Sequence, residues 1–209
     1  MSRIAEADFR ALAARRLHAA APPHHSFSDD DLNPTARMIL DNEEPKPAAV
    51  LVPLVPREDG LHLLLTERQP HLRRHAGQIA FPGGRIDDTD TDAVAAALRE
   101  TQEETGISPS FVEPVGFLDT YLTSTNYRVV PVVAFVRPGF SVMPQEAEVK
   151  DVFEVPLAFL MDPANHELHS RDWQGHTRYY YAMPWQGRYI WGATAGMIRN
   201  LYRLMYEPT

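Results

Sequence analysis

Three glutamates stand close together in this chain, at Glu100, Glu103 and Glu104. At about 100° per residue, these positions share one side of a helix within an arc of roughly 100°. Like charges at such spacings destabilise a helix by roughly a few tenths of a kcal/mol per pair. A bound divalent cation would reverse the sign of that interaction, and carboxylate oxygens suit Mg²⁺ or Mn²⁺. The alternative is a solvated helix face, because short acidic motifs are common.

The residues around these glutamates are those of a capped helix. Residues 92–105 contain no Pro or Gly and are rich in Ala, Leu, Glu and Gln, which predicts a helix. Thr91 or Asp92 is suited to the N-cap, and Gly106 is suited to the left-handed position that ends a helix. The side of this helix expected to face the core carries Val94, Leu98, Thr101 and Thr105.

The stretch 83–107 resembles the Nudix box, G-x5-E-x7-R-E-U-x-E-E-x-G-U, in which U is an aliphatic residue. Residues 99–107 match the second half, with Thr101 where an aliphatic residue is usual. The first half is one residue longer than the pattern, and either Asp90 or Asp92 replaces its isolated glutamate. The resemblance implies an α/β fold, an α/β/α sandwich with a mixed central sheet. It also implies that Mg²⁺ or Mn²⁺ is held by Glu100, Glu103 and Glu104.

Residues 64–84, LLTERQPHLRRHAGQIAFPGG, are similar to the signature LLTxR(S/A)xxxRxxxGxxxFPGG of coenzyme A pyrophosphatases and lack only the small residue at Gln69. The resemblance implies hydrolysis of coenzyme A or acyl-coenzyme A to 3′,5′-ADP and 4′-phosphopantetheine or its acyl form. Arginine offers a planar fork to phosphate, whereas without the resemblance this basic segment would be interpreted as a solvated loop. The residues expected to bind substrate are Arg68, Arg73, Arg74, Gly83 and Gly84.

Residues 146–157 resemble the EVxxVFEVPL stretch that follows the box in many Nudix proteins. There, an acid in the preceding loop reaches the metal or the attacking water, and Glu148 is the candidate here. The alternative is a charged loop that leads into an apolar helix over 157–161. One glutamate that is not fully engaged by metal could accept the proton of the water. The candidate catalytic residues are therefore Glu103, Glu104 and Glu148.

Composition narrows the class of protein. The 209 residues are 44% hydrophobic and 23% charged, as in an ordinary globular protein. The absence of cysteine excludes disulfides and thiolate chemistry. A net charge of −8 argues against general nucleic-acid binding. No apolar run approaches the roughly 20 residues of a membrane span. We expect a cytoplasmic enzyme with a small-molecule substrate, no nucleic-acid partner and no membrane association.

The chain divides into an N-terminal helix with a wrapping connection, residues 1–47, and a Nudix hydrolase domain, residues 48–209. The first helix, within 3–20, should pack on the domain or on a partner subunit, and a short helix is expected over 33–40. The terminal helices make a homodimer plausible. Strands are predicted at 48–55, 61–67, 113–122, 127–136, 176–183 and 187–191, followed by a helix over 194–205.

Two alternatives to coenzyme A hydrolysis stay open. The first is another Nudix substrate, such as ADP-ribose or another nucleoside diphosphate derivative. The second is a non-catalytic module that senses a nucleotide, although such modules would be expected to lose box carboxylates. Aromatic residues near the C-terminus could stack an adenine or could serve only in packing; they are Tyr179, Tyr180, Tyr181, Trp185 and Trp191.

Overall fold

A computed structural model of the chain describes residues 3–33, 44–72, 75–173 and 175–207. The helices are α1 (Glu6–Arg16), α2 (Ala93–Thr105), α3 (Leu157–Leu160) and α4 (Ala193–Tyr206). The strands are β1 (His25–Ser28), β2 (Lys46–Arg57), β3 (Gly60–Arg68), β4 (Ile79–Ala80), β5 (Gly83–Arg85), β6 (Val112–Phe117), β7 (Thr120–Leu122), β8 (Tyr127–Val136), β9 (Val149–Pro156), β10 (Glu167–Trp173), β11 (His176–Trp185) and β12 (Arg188–Trp191).

Nine of the strands in the described ranges form one mixed sheet. Its main path runs β1-β7-β8-β2-β3-β4, while β5 pairs with β2, β6 with β8 and β9 with β3. The central strands β2 and β8 are parallel, with Val52 opposite Val133. Side chains of β2 alternate between the two faces, so that Leu51 packs on one side and Leu54 on the other. Both faces of the central sheet are therefore covered, as its continuous apolar run predicts.

Helices cover the two faces unequally. On one face, α2 packs through Ala96 and Ala97 against the cluster that contains Leu51. On the other face, α1, α3 and α4 share a larger core, to which α1 contributes the buried Phe9 and Ala13. These layers confirm the predicted sandwich with a mixed sheet. Of the two positions considered for the first helix, the structure shows packing on the domain itself.

Most of the predicted elements are present. The hairpin of β2 and β3 is confirmed, as are the strand β8, the helix α2 and the closing helix α4. The predicted C-terminal hairpin is formed by β11 and β12, but an unpredicted third strand, β10, completes a separate three-stranded sheet. Within the described ranges, no helix is long and apolar enough to cross a membrane.

Three expectations need comment. The stretch 113–122, predicted as one strand, forms β6 and β7, because the chain turns between them and each strand pairs separately with β8. The alternative interpretation of a charged loop after Glu148 is wrong, because Val149–Pro156 forms β9 and pairs antiparallel with β3. Only the helix at Leu157–Leu160 remains from that interpretation. The short helix expected over 33–40 lies outside the described residues, except for Asn33.

Candidate active site

Two glycines of β5 bring the backbone against the glutamates of α2. Gly83 has a φ of +151°, and a side chain there would collide with the carbonyl oxygen of Ala49 and come within 2.6 Å of Val50 Cα. Its N–H donates a hydrogen bond to Glu104 Oε2 over 3.1 Å. A Cβ at Gly84 would lie 2.6 Å from the carboxylate carbon of Glu100. Glycine at 83 therefore lets β5 lie against β2, and glycine at 84 lets the Glu100 carboxylate approach the strand.

Helix α2 is held by the caps that its sequence predicts. Asp92 is the N-cap, and its Oδ1 accepts a hydrogen bond from the Ala95 N–H at 2.8 Å. Gly106 closes the helix in the left-handed conformation, with a φ of +74°. Thr101 is buried, and its hydroxyl donates to the carbonyl of Ala97 at 2.6 Å. A threonine therefore fits at the usual aliphatic position of the box because its hydroxyl is satisfied inside the helix.

The predicted buried face of α2 is only partly correct. Thr101 and Thr105 are fully buried, whereas Val94 and Leu98 are half-buried at the edge of the α2 cluster. The small residues Ala96 and Ala97 lie against the sheet instead. This rotation brings Glu104 onto the inner side of the helix, where it is only 5% exposed.

Arg99 connects the turn before α2 to the glutamates. Its Nε and Nη2 donate to the two carboxylate oxygens of Asp90 at 3.0 and 2.9 Å. Its Nη1 donates to Glu100 Oε1 at 2.9 Å and lies 3.4 Å from Glu103 Oε2. The bond from Arg99 lowers the pKa of Asp90. Of the two aspartates that the sequence left open, Asp92 caps the helix and Asp90 holds the box arginine.

Burial raises the pKa of two of the glutamates. Loss of hydration raises the pKa of Glu104 to about 7, although the Gly83 N–H and the charge of Arg68 act in the opposite direction. Burial also raises the pKa of Glu100, and the hydrogen bond from Arg99 opposes this shift. The side chain of Glu103 is more open, with 55% of its area exposed. The site thus concentrates negative charge that protein cations compensate only in part.

Arg68 and Glu148 approach the box from other elements. Arg68 ends β3, and its Nη1 lies 3.6 Å from Glu104 Oε1 while its Nη2 lies 3.8 Å from Glu148 Oε2. These are ion-pair distances rather than good hydrogen bonds. Among the described residues, the buried Nε of Arg68 has no hydrogen-bond partner. The pairing of β3 with β9 sets Arg68 opposite Val149, which brings Glu148 beside it.

The structure therefore brings together most of the candidate site residues. Glu100, Glu104, Glu148, Arg68 and the two glycines form one group, and Glu103 lies at its exposed edge. Arg73 and Arg74 lie outside the described residues. Sequence analysis missed the role of Asp90 as the partner of Arg99, and the only signal for it was an acidic cluster that also contains the N-cap.

The donor set suits a hard divalent cation, since it consists of carboxylate oxygens on one helix. In the conformation described for residues 3–33, 44–72, 75–173 and 175–207, no three His, Asp or Glu side chains converge closely enough to hold a metal ion. Arg99 lies between Glu100 and Glu103 and contacts both. Glu103 is the more exposed of the two, with 55% of its side chain exposed against 20% for Glu100.

This fold is that of the Nudix family. The family model described as NUDIX domain matches residues 45–180, and the chain belongs to that family. It is 45% identical to the uncharacterised Nudix hydrolase NudL of Escherichia coli strain K12 over 154 residues, which cover 74% of this chain and 80% of that protein. It is 44% identical to NudL of Shigella flexneri over 163 residues, covering 77% and 84%.

Solved structures show a more distant likeness. A C. elegans Ap4A hydrolase in a binary complex is 21% identical, with a TM-score of 0.47, and the match covers 53% of this chain and 80% of that one. A Nudix hydrolase from M. smegmatis, RenU, is 20% identical, with a TM-score of 0.47, over 56% of this chain and 74% of that one.

Proposed function

We propose that this Nudix hydrolase cleaves the diphosphate of coenzyme A or acyl-coenzyme A, giving 3′,5′-ADP and 4′-phosphopantetheine or its acyl form. One observation carries the proposal: the two ends of the segment that resembles the coenzyme A signature lie against the box. Arg68, near the start of that segment, faces Glu104 and Glu148, and the glycines at its end contact Glu100 and Glu104. The two motifs thus contribute to a single site.

The carboxylates of Glu100, Glu103 and Glu104 are the proposed ligands of the divalent ion that Nudix hydrolases generally use. A bound Mg²⁺ or Mn²⁺ supplies positive charge to the diphosphate and lowers the pKa of a bound water. In this chain, the Gly83 N–H orients the Glu104 carboxylate, and Arg99 orients that of Glu100. We propose that a glutamate of this group, Glu103, Glu104 or Glu148, accepts the proton: Glu104 and Glu148 lie beside Arg68, and Glu103 lies at the exposed edge beside Arg99.

Arg68 is the described residue best placed to meet a substrate phosphate. Its side chain is 25% exposed, and its guanidinium makes long ion pairs with Glu104 and Glu148. A phosphate can therefore replace these contacts with shorter, charge-assisted bonds. Arg73 and Arg74 stay predictions for the remaining phosphates, and the backbone at Gly83 and Gly84 is proposed to approach the diphosphate.

Turnover of coenzyme A, measured beside 3′-dephospho-coenzyme A and ADP-ribose with Mg²⁺ or Mn²⁺, tests this function. We expect coenzyme A to be preferred and its product to have the mass of 3′,5′-ADP. Equal rates with and without the 3′-phosphate would refute the coenzyme A specificity, and a preference for ADP-ribose would assign the site to that class of substrate.

Glu103→Gln separates the chemistry from the specificity. This exposed position contributes little to the core, so the variant should fold while turnover at saturating Mg²⁺ falls by about 10²-fold or more. Glu58→Gln, in the exposed turn between β2 and β3, is the matched control. Undiminished turnover in Glu103→Gln would remove Glu103 from the site, and no turnover in the wild type with either metal would favour a non-catalytic module.

A further inference from the structure

A second cavity lies on the other face of the sheet from the box glutamates. Its volume is about 210 Å³, and it is lined by α4, by the aromatic strand β11 and by residues 27–29 and 31–33 that follow and overlap β1. Helix α4 belongs to the core on the face away from α2. None of the box glutamates, Arg68 or Glu148 lines this cavity. The Nudix chemistry described above therefore does not account for it.

Asn200 supplies the first sign of a ligand. It lies on the cavity wall in α4 and is only 5% exposed. Its Nδ2 is buried and has no hydrogen-bond partner among the residues that the structure describes. Leaving such a donor unsatisfied costs about 1–3 kcal/mol, which a ligand with an acceptor atom would recover. A side-chain amide, with one donor and one acceptor group, matches the N6 and N7 edge of adenine.

Arginines stacked on aromatic rings supply the second sign. The guanidinium carbon of Arg199 lies 4.6 Å from the ring centroid of Tyr181, and that of Arg203 lies 4.7 Å from Phe27. Stacking of this kind fixes the guanidinium plane and leaves its N–H edge available to an anion. Arg199 contacts His166 Nδ1 at 3.3 Å, and Arg203 contacts Glu207 at 3.4 Å.

The acidic groups of the cavity wall are already engaged in local structure. Asp29 accepts hydrogen bonds from the Tyr121 hydroxyl and the Ser124 N–H, both at 2.8 Å. Asp31 accepts from the Ser28 N–H at 2.9 Å. These carboxylates hold the turn after β1. Of the four arginines on the wall, which are Arg171, Arg178, Arg199 and Arg203, two are paired with acids, Arg178 with Asp30 and Arg203 with Glu207. Arg199 contacts the rings of His166 and Tyr181, and its charge favours a negatively charged ligand.

We propose that this cavity is a second binding site, which takes an adenine nucleotide of the size of a nucleoside monophosphate. The base would pair with the amide of Asn200, and the phosphate would meet the N–H edges of Arg199 and Arg203. The volume of about 210 Å³ is adequate for the planar base, because a dry cavity of about 150 Å³ already accommodates benzene. The ribose and phosphate would extend toward the exposed Arg203. The proposal is independent of the substrate that is hydrolysed at the box.

Binding of AMP, measured by calorimetry in the presence of EDTA, tests this site without any diphosphate chemistry. We expect saturable binding of one AMP per chain, at least about tenfold weaker in Arg199→Ala and Arg203→Ala. Asn200→Asp should lower the affinity for AMP more than the affinity for inorganic phosphate, because only AMP presents a base to that side chain. Arg15→Ala, which removes an exposed arginine from α1, should bind AMP like the wild type.

The variants distinguish this site from the box. Arg203 is 45% exposed, so Arg203→Ala should remain folded even if Arg199→Ala lowers the melting temperature. Equal AMP affinity in the wild type and Arg203→Ala would overturn the proposal, as would the lack of saturation at millimolar AMP. If AMP competes with the substrate hydrolysed at the box, and this competition persists in Arg203→Ala, then AMP binds at the box. That result would also overturn the proposal.

Discussion

At the scale of single residues, Glu104 carries the largest electrostatic cost of the site. It is 5% exposed and, with its pKa near 7, is neutral over much of the acidic range. In the unfolded chain its carboxyl ionises near its ordinary value of 4.5. Between these two values the folded state holds a proton that the unfolded state has lost, so the free energy of unfolding falls as the pH rises.

Glu104→Gln should therefore stabilise the metal-free protein at alkaline pH while it abolishes turnover. Relative to the wild type, the variant should gain up to about 3 kcal/mol between pH 4.5 and pH 8, at about 1.4 kcal/mol per pKa unit. Denaturant unfolding in EDTA at the two pH values measures this difference, with Glu58→Gln as the control. A pH-independent difference between Glu104→Gln and the wild type would show that Glu104 ionises normally in the folded protein.

At the scale of elements, β5 places two glycines against α2 for different reasons. A side chain at Gly83 meets the backbone of β2, which cannot move away without breaking the sheet. A side chain at Gly84 meets only the end of the flexible Glu100 side chain. The first glycine therefore supports the fold, and the second supports the position of a carboxylate.

Alanine substitutions should separate these two roles. Gly83→Ala is expected to lower the free energy of unfolding by about 2 kcal/mol or more. Gly84→Ala should cost about 1 kcal/mol or less in stability, yet reduce kcat at least about tenfold by displacing Glu100. Gly187→Ala, at a positive φ with open space around it, should retain full turnover. Normal kcat in Gly84→Ala would show that Glu100 need not lie against the strand.

Sequence analysis succeeds where the information is local. The composition, N-cap and terminal glycine of α2 stand within one stretch, so its bounds are predicted almost to the residue. Strand β9 was missed because Lys150, Asp151 and Glu154 interrupt its apolar pattern, and only pairing with β3 makes it a strand. The approach of Glu148 to Arg68 depends on that pairing. No local pattern predicts an approach between residues 80 positions apart, and only the family resemblance assigned Arg68 and Glu148 to one site.

At the scale of the whole molecule, the sheet separates two regions. The face that carries α2 holds the box glutamates, and the face that carries α1 and α4 holds the larger core and the second cavity. Helix α1 is part of that core. Phe9 is 1% exposed and packs edge-on against Phe135 of β8, with ring centroids 6.1 Å apart. The guanidinium carbon of Arg10 lies 3.8 Å from the centroid of the same ring, and its two terminal nitrogens donate hydrogen bonds to the carboxylate of Glu113.

If α1 folds together with the sheet, Phe9→Ala should destabilise the entire molecule. We expect a loss of about 3–5 kcal/mol, because the substitution leaves a cavity against the centre of β8. Denaturant unfolding should remain a single transition by both tryptophan fluorescence and circular dichroism, shifted to lower denaturant. Ala14→Ser, on the exposed side of the same helix, should change stability by about 0.5 kcal/mol or less. If Phe9→Ala lowers the free energy of unfolding by less than about 1 kcal/mol, or unfolds with a separate early transition, then α1 does not fold cooperatively with the sheet.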